Sequence, residues 1–392
     1  MKVEQIYELV NNTAKNVLGR EEDVLNQDLT NVVDLGREII NLEQVDNYVR
    51  KLVDHIGKVI FVNRLYKGSA PSVLIDSFEY GSIVEKIHTT LPKAQPNSSW
   101  DLQAGQSYDP NEFYAPDASA KFFNSKDTFE IPMSFTTMQV KSSFDSPTQL
   151  NSFLSMIQTS VENAMTIRLD SLIMSTINNF TSKILTDNTS PLQRVNLSTL
   201  YTQETGKTAP TGDKIFYDAE FLKYCAFTLN RFADRLTRIS TLFNAGQCER
   251  FTPKSELKTV LISDFVQAAS LFLKSDTYHE NYITLPSADR VPYWQAPGNN
   301  YSFDNITKIN VNDVEKSGII GVMFDRQALG VSNLGKRVTS NYNPRAEFYS
   351  NWYKMESSYF NDLNENFIVF YIGDDVKQPS EETSSQSKSR KA

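Results

Sequence analysis

Few side chains in this sequence could do chemistry, and they are scattered. His55, His88 and His279 lie far apart, and none has a second His or Cys at the spacing that gathers metal ligands. A triad built on any of them would need a nucleophile motif, and no Gly-x-Ser-x-Gly occurs. The run Gly330-Val331-Ser332-Asn333-Leu334-Gly335-Lys336-Arg337 comes close to a phosphate-binding loop. A working loop needs Ser or Thr after the Lys to hold magnesium, and a helix opening beneath the phosphates. Arg337 takes that place here, and a strand-like run leads on to Pro344. Gly206-Lys207-Thr208 lacks the upstream Gly, because position 201 is Tyr. Asp101, Asp109 and Glu112 share a polar stretch without calcium-loop spacing. Cys225 and Cys248 match no zinc or redox spacing and read as ordinary reduced thiols. The expectation is therefore no catalytic residue, no cofactor and no metal.

A second group is apolar. Trp100, Phe113, Tyr114, Phe122 and Phe123 crowd a Pro- and Asn-rich segment with few aliphatic residues to bury them. Large aromatics without a local core must find apolar surface elsewhere, and the reading is that they contact another subunit.

The elements that would carry these residues follow from periodicity. Val3, Ile6, Val10, Ala14 and Val17 mark one helical face that Gly19 ends, and Val45 to Ile60 marks a second. The period changes to two at Ile83, Glu85, Ile87, Thr89 and Leu91, and again at Phe129, Ile131, Met133 and Phe135. Residues 73–141 thus read as a long two-stranded extension with an irregular tip. Ser146-Pro147-Thr148-Gln149 reads as a capping box with Pro at the first helical position. An apolar stripe from Leu150 to Ile184 follows without Gly or Pro, which predicts one helix over 148–186, roughly 60 Å long. After a polar insertion (187–214) come a helix from Ala219 to Phe243, a strand at 258–262, a helix from Ser263, strands near 306–311 and 318–324, and aromatic-rich strands over 337–372.

Composition narrows the class. The 392 residues carry a net charge of -8, which argues against wrapping nucleic acid, because phosphate binding needs clustered Lys and Arg. The one basic cluster, Lys388, Arg390 and Lys391, lies in a Ser/Glu/Gln-rich tail with no apolar residue to fold around. No signal-peptide pattern and no apolar run of about 18 residues is present, so a cytosolic chain without a membrane span is expected.

This order of parts resembles the HK97-type major capsid proteins of tailed phages. Three stretches carry the likeness in detail: Leu236 to Asn244 (LTRISTLFN), Gly321 to Gly330 (GVMFDRQALG), and Asn343 to Tyr349 (NPRAEFY) running on to Asn366-Phe367-Ile368. The resemblance implies an α+β fold of six parts. They are an N-terminal arm (1–72), a β-hairpin extension or E-loop (73–141), a spine helix with part of the P-domain (142–215), an A-domain (216–335), P-domain C-terminal strands (336–376) and a flexible tail (377–392). It implies a structural protein whose copies form hexamers and pentamers of an icosahedral shell around double-stranded DNA, without sequence-specific binding. Assembly in the host cytoplasm with a portal is implied too. The arm reaches its first extended strand by Val73, which favours a separate scaffolding protein over a fused one. Lys93, Lys121 and Lys126 lie in the extension, but no pattern selects one for the Lys–Asn cross-link of some relatives. The rival readings are an encapsulin-like bacterial shell and an α/β enzyme without recognisable motifs.

Overall fold

The computed structural model describes residues 3–19, a few positions between 23 and 38, 70–75, 84–89, most of 91–108, Asn111, 118–136, 138–139, 147–187, 190–274, 285–312 and 314–374. The expected helix at 42–60 and the tail from 377 lie outside them, as do Trp100, Phe113 and Tyr114.

The first helix, α1 (Val3–Leu18), ends where expected, with Gly19 at φ 65°. Its Val10 and Ala14 are buried in the common core. A short strand β1 (Leu74–Ile75) precedes a hairpin of β2 (Val84–Thr89) and β3 (Ala118–Phe123), and β4 (Ser125–Thr136) follows at once. The pairing differs from the expected extension. The partner of β2 is β3, and β4 leaves the hairpin to join a body sheet. Its large residues at every second position, Phe129 to Phe135, suit a sheet with one covered face, whereas β3 carries the smaller Ala118, Ser119 and Ala120.

The spine is one helix, α2 (Pro147–Thr186), with Pro147 at its first position as the sequence requires. Ile157, Val161, Met165, Leu169, Ile173, Ile177, Phe180 and Ile184 are all buried, at spacings of three and four that keep them on one face. Toward its C-terminus the helix is enclosed, and polar side chains there find backbone partners: Asn178 donates to the Trp294 carbonyl (2.9 Å) and Ser182 to that of Val311 (3.0 Å).

From Ser190 onward the expected polar insertion carries secondary structure. It holds β5 (Arg194–Asn196) and α3 (Leu197–Thr205), capped by Asn196, whose side chain accepts from the Ser198 and Thr199 N–H groups. Gly206, at φ 71°, closes α3 and donates to the Thr202 carbonyl, so the Gly-Lys-Thr fragment is a helix end. Next come α4 (Ala219–Leu236), β6 (Leu257–Ile262), α5 (Ser263–Lys274), β7 (Asp289–Val291), α6 (Phe303–Ile306), β8 (Ile309–Val311), β9 (Val314–Lys316) and β10 (Ile319–Asp325). The helix α4 stops short of Phe243, because the chain turns to pair Ser240 with Arg250 and the Thr252 N–H takes the Leu236 carbonyl. Three long strands finish the body: β11 (Leu329–Asn343), β12 (Phe348–Asn361) and β13 (Phe367–Tyr371).

Two sheets result. One runs β1-β11-β12-β4, the other β5-β13-β10-β6-β7. The closing run Phe367 to Tyr371 therefore leaves β11 and β12 and enters the second sheet. Burial explains the separation. Along β12 buried and half-buried residues alternate, as in a sheet with one covered face, while every residue of β10 and β13 is buried. Phe180 of α2 lies against Phe367 (centroids 4.2 Å) and Phe232 of α4 against Phe370 (5.7 Å), so helices cover β13 from both sides.

In the first sheet, Phe135 meets Phe153 of α2, and Arg168 of α2 lies over Phe129 and pairs with Asp127 at 2.9 Å. The other face is polar: Glu130 pairs with Lys354, and Pro132 stands opposite Trp352. Pro132 is tolerated because β4 has a single neighbour, leaving its other edge unpaired among the described residues. The near-phosphate-loop run is strand β11. Its Gly330 answers to packing, since a Cβ there would stand 2.1 Å from Ile75 Cδ1.

Candidate functional site

The hairpin β2–β3 has two chemically different faces. Register places Glu85 opposite Phe122, Lys86 opposite Lys121, Ile87 opposite Ala120 and His88 opposite Ser119. Alternation then turns Glu85, Ile87, Ala120 and Phe122 outward, with Ile87 68% and Phe122 65% exposed. Lys86, His88, Lys121 and Phe123 turn toward the body.

Like charges directly across a hairpin repel, so Lys86 opposite Lys121 needs an anion between them. Asp362, in the turn joining β12 to β13, supplies it. Its fully buried carboxylate takes Lys121 on Oδ1 (3.2 Å) and Lys86 on Oδ2 (3.4 Å), with His88 Nε2 also 3.4 Å from Oδ2. The Asn364 N–H donates to Oδ1, and the Asp362 N–H donates to the Ala328 carbonyl at 2.7 Å. Lys86 also donates to the Gln327 carbonyl and lies over the Phe360 ring. Glu365 stands 3.9 Å from His88 and 3.5 Å from Arg250.

Burial would push the Asp362 carboxyl up, but the Asn364 N–H and the two ammonium groups outweigh it and hold the carboxyl below its usual range. Glu365 goes the other way. Burial raises it, and Lys86 and Arg250 offset this only in part, with Asp325 and Asp362 adding to the rise.

His88, Asp362 and Glu365 bring three donor atoms within 4.8 Å of one another, a trio the scattered histidines did not suggest. It makes a poor cation site, because ammonium groups already sit on both Asp362 oxygens and Arg250 on Glu365. Burial pushes the Cys225 thiol well up, which leaves it inert.

Of the aromatic residues singled out, Phe122 faces solvent, while Phe123 packs within the subunit against Phe360 (5.4 Å). Sequence reasoning missed Asp362 and Glu365 as partners of the extension, since an isolated carboxylate in a polar turn reads as solvated. A second exposed apolar group, Ile239, Leu242 and Phe251, lies on the 237–252 loop.

A 40-residue spine shared by two sheets, with a hairpin whose charged face meets the body, has the layout expected of an HK97-type capsid subunit. The chain belongs to the family of Phi29-like phage major capsid proteins, whose sequence pattern matches residues 10–371. It is a major capsid protein, a subunit of the shell of the virion. Among solved structures, it is similar to the capsid of Staphylococcus phage Andhra, with a TM-score of 0.52 at 11% identity, covering 79% of this chain and 86% of that one. The capsid of cyanophage P-SCSP1u gives 0.46 at 11% identity, over 79% and 88%. No curated protein matches the chain. Among the described residues no helix is long and apolar enough to cross a membrane.

Proposed function

We propose that the subunit acts by geometry alone, without catalysis, and that the outer face of its hairpin is a contact to a neighbouring copy. The observation that supports this most is that Ile87 and Phe122 are both exposed at diagonal positions on the face turned from their own subunit. Burying each there would contribute roughly 1.5–3 kcal/mol per contact, repeated around every ring. In this reading the two sheets and spine tile into hexamers and pentamers, the extension overlies a neighbour, and Trp100, Phe113 and Tyr114 join Phe122 in that contact. The extension ends at Phe123, because β4 belongs to the body sheet. The net charge of -8 suits a container for double-stranded DNA, since strong attraction to phosphate would hinder packing. Assembly takes place in host cytoplasm with a separate scaffolding protein and a portal.

Electron microscopy of the expressed chain, with and without its neighbouring phage genes, tests this. The double substitution Ile87→Ser/Phe122→Ser should leave a soluble, folded subunit that forms no closed shells. Shells indistinguishable from wild type would end the contact assignment, and measurable turnover by the purified chain would end the non-enzymatic one.

A further inference from the structure

We propose that Asp362 is a latch that holds the hairpin in the pose from which it engages a neighbouring copy, so that this one carboxylate positions the assembly contact. The proposal rests on the family's shell-forming role and on the outer-face contact above, and adds what sets that contact's direction. Three inward side chains of the hairpin, Lys86, His88 and Lys121, converge on one buried carboxylate. The two lysines face each other across the strands and would repel without it. Apolar attachment of the hairpin is slight among the described residues, being chiefly Phe123 against Phe360, whose ring also takes the Lys86 ammonium over its face.

The carboxylate is itself held rigidly. Its turn is tied back by the Asp362 N–H to Ala328, and the Leu363 carbonyl accepts from the Ala245 and Gly246 N–H groups at 3.0 and 3.2 Å. Arg250, from the same loop as those two residues, pairs with Glu365. That loop also presents the exposed Ile239, Leu242 and Phe251. One turn therefore fixes the hairpin and the loop relative to each other, and a shift of either is felt through Asp362 to Glu365.

The test is hydrogen exchange on the full-length, unassembled chain, with micrographs of assembly alongside. In Asp362→Asn the amides of β2 and β3 should exchange at least about tenfold faster, because two half-buried ammonium groups lose their counter-charge. Amides of β10 and β13 should keep their wild-type rates, and closed shells should give way to open or irregular ones. Lys86→Met/Lys121→Met leaves the turn and its loop contacts intact and should release the hairpin as well, so it decides the matter if Asp362→Asn does not fold. Unchanged hairpin exchange in that lysine variant would overturn the latch. So would equal loosening of β10 and β13 in Asp362→Asn, or a released hairpin with normal shells. The exchange measurement needs no assembly, so a wild-type chain that forms no shells would count against the outer-face contact and leave the latch to be judged on exchange alone.

Discussion

The spine helix α2 and the hairpin β2–β3 are both laid on the same body, yet they are attached in opposite ways. Eight apolar side chains from Ile157 to Ile184 seat the helix, and both sheets share them. The hairpin's inward face meets the body through charges converging on one carboxylate, with one aromatic pair beside them. Dispersed apolar burial resists any single change and gives no preferred way to let go. Convergent ionic attachment is directional and depends on each member, because removing one leaves the rest buried and uncompensated. A shell subunit has use for both, a body that stays folded and, in the contact proposed above, an extension aimed at a neighbour.

The contrast can be broken most severely from the helix side. Phe180→Ala should cost about 3–5 kcal/mol in denaturant unfolding, with the loss felt in the whole body, because the ring fills the space beside Phe367 between the spine and β13. A loss below about 1 kcal/mol would mean the spine is less integral than its burial implies. Asp362→Asn should instead confine its effect to β2 and β3, and finding the reverse pattern of local and global effects in the two variants would dissolve the comparison.

Gly330→Ala probes the packing beneath the hairpin corner. The added methyl would meet Ile75 Cδ1 at 2.1 Å and a Phe360 ring atom at 3.0 Å, and should cost about 1–3 kcal/mol of overall stability. An unchanged midpoint would show that Ile75 and Phe360 yield freely.

The smallest effect is in pH. Asp362 titrates below its usual range in the folded chain, so its hold on the hairpin is complete above the ordinary aspartate pKa and is lost as pH falls through the lower native value. Glu365 titrates above its usual range, so its contribution is complete below the ordinary glutamate pKa and is lost as pH rises through the raised native value. Hairpin protection, corrected for intrinsic exchange, should therefore fall on the acid side in wild type and lose that dependence in Asp362→Asn. Identical profiles for the two proteins would remove Asp362 from the account.

The spine could be read from the sequence because its stripe runs unbroken from Leu150 to Ile184 and Pro147 marks its start. The strands of the hairpin were half legible. Both 118–123 and 129–135 can alternate opposite β2, and nothing local says which pairs, since register belongs to two segments at once. The closing strand is legible in the sequence, but the sheet it joins is not named by the grouping of 336–376. The run from Phe367 to Tyr371 is apolar at each position, and that uniformity was the sign of a strand covered on both faces. Asp362 was not legible at all, because its partners lie 241–276 residues away and turn inward only once β2 and β3 are in register. Phe122 and Phe123 look equivalent in sequence, and strand alternation alone separates an outward ring from an inward one.

Pro132 has a bearing on life before assembly. Before a shell closes, a long, regular sheet margin on a free subunit would invite strand-on-strand fibre growth between copies. Along β4 that margin lacks an amide donor at Pro132, and further along the same strand Lys126, Asp127 and Glu130 carry charges of both signs. A strand trying to zip along β4 would stall there, which disfavours open-ended polymerisation along this edge relative to closed association.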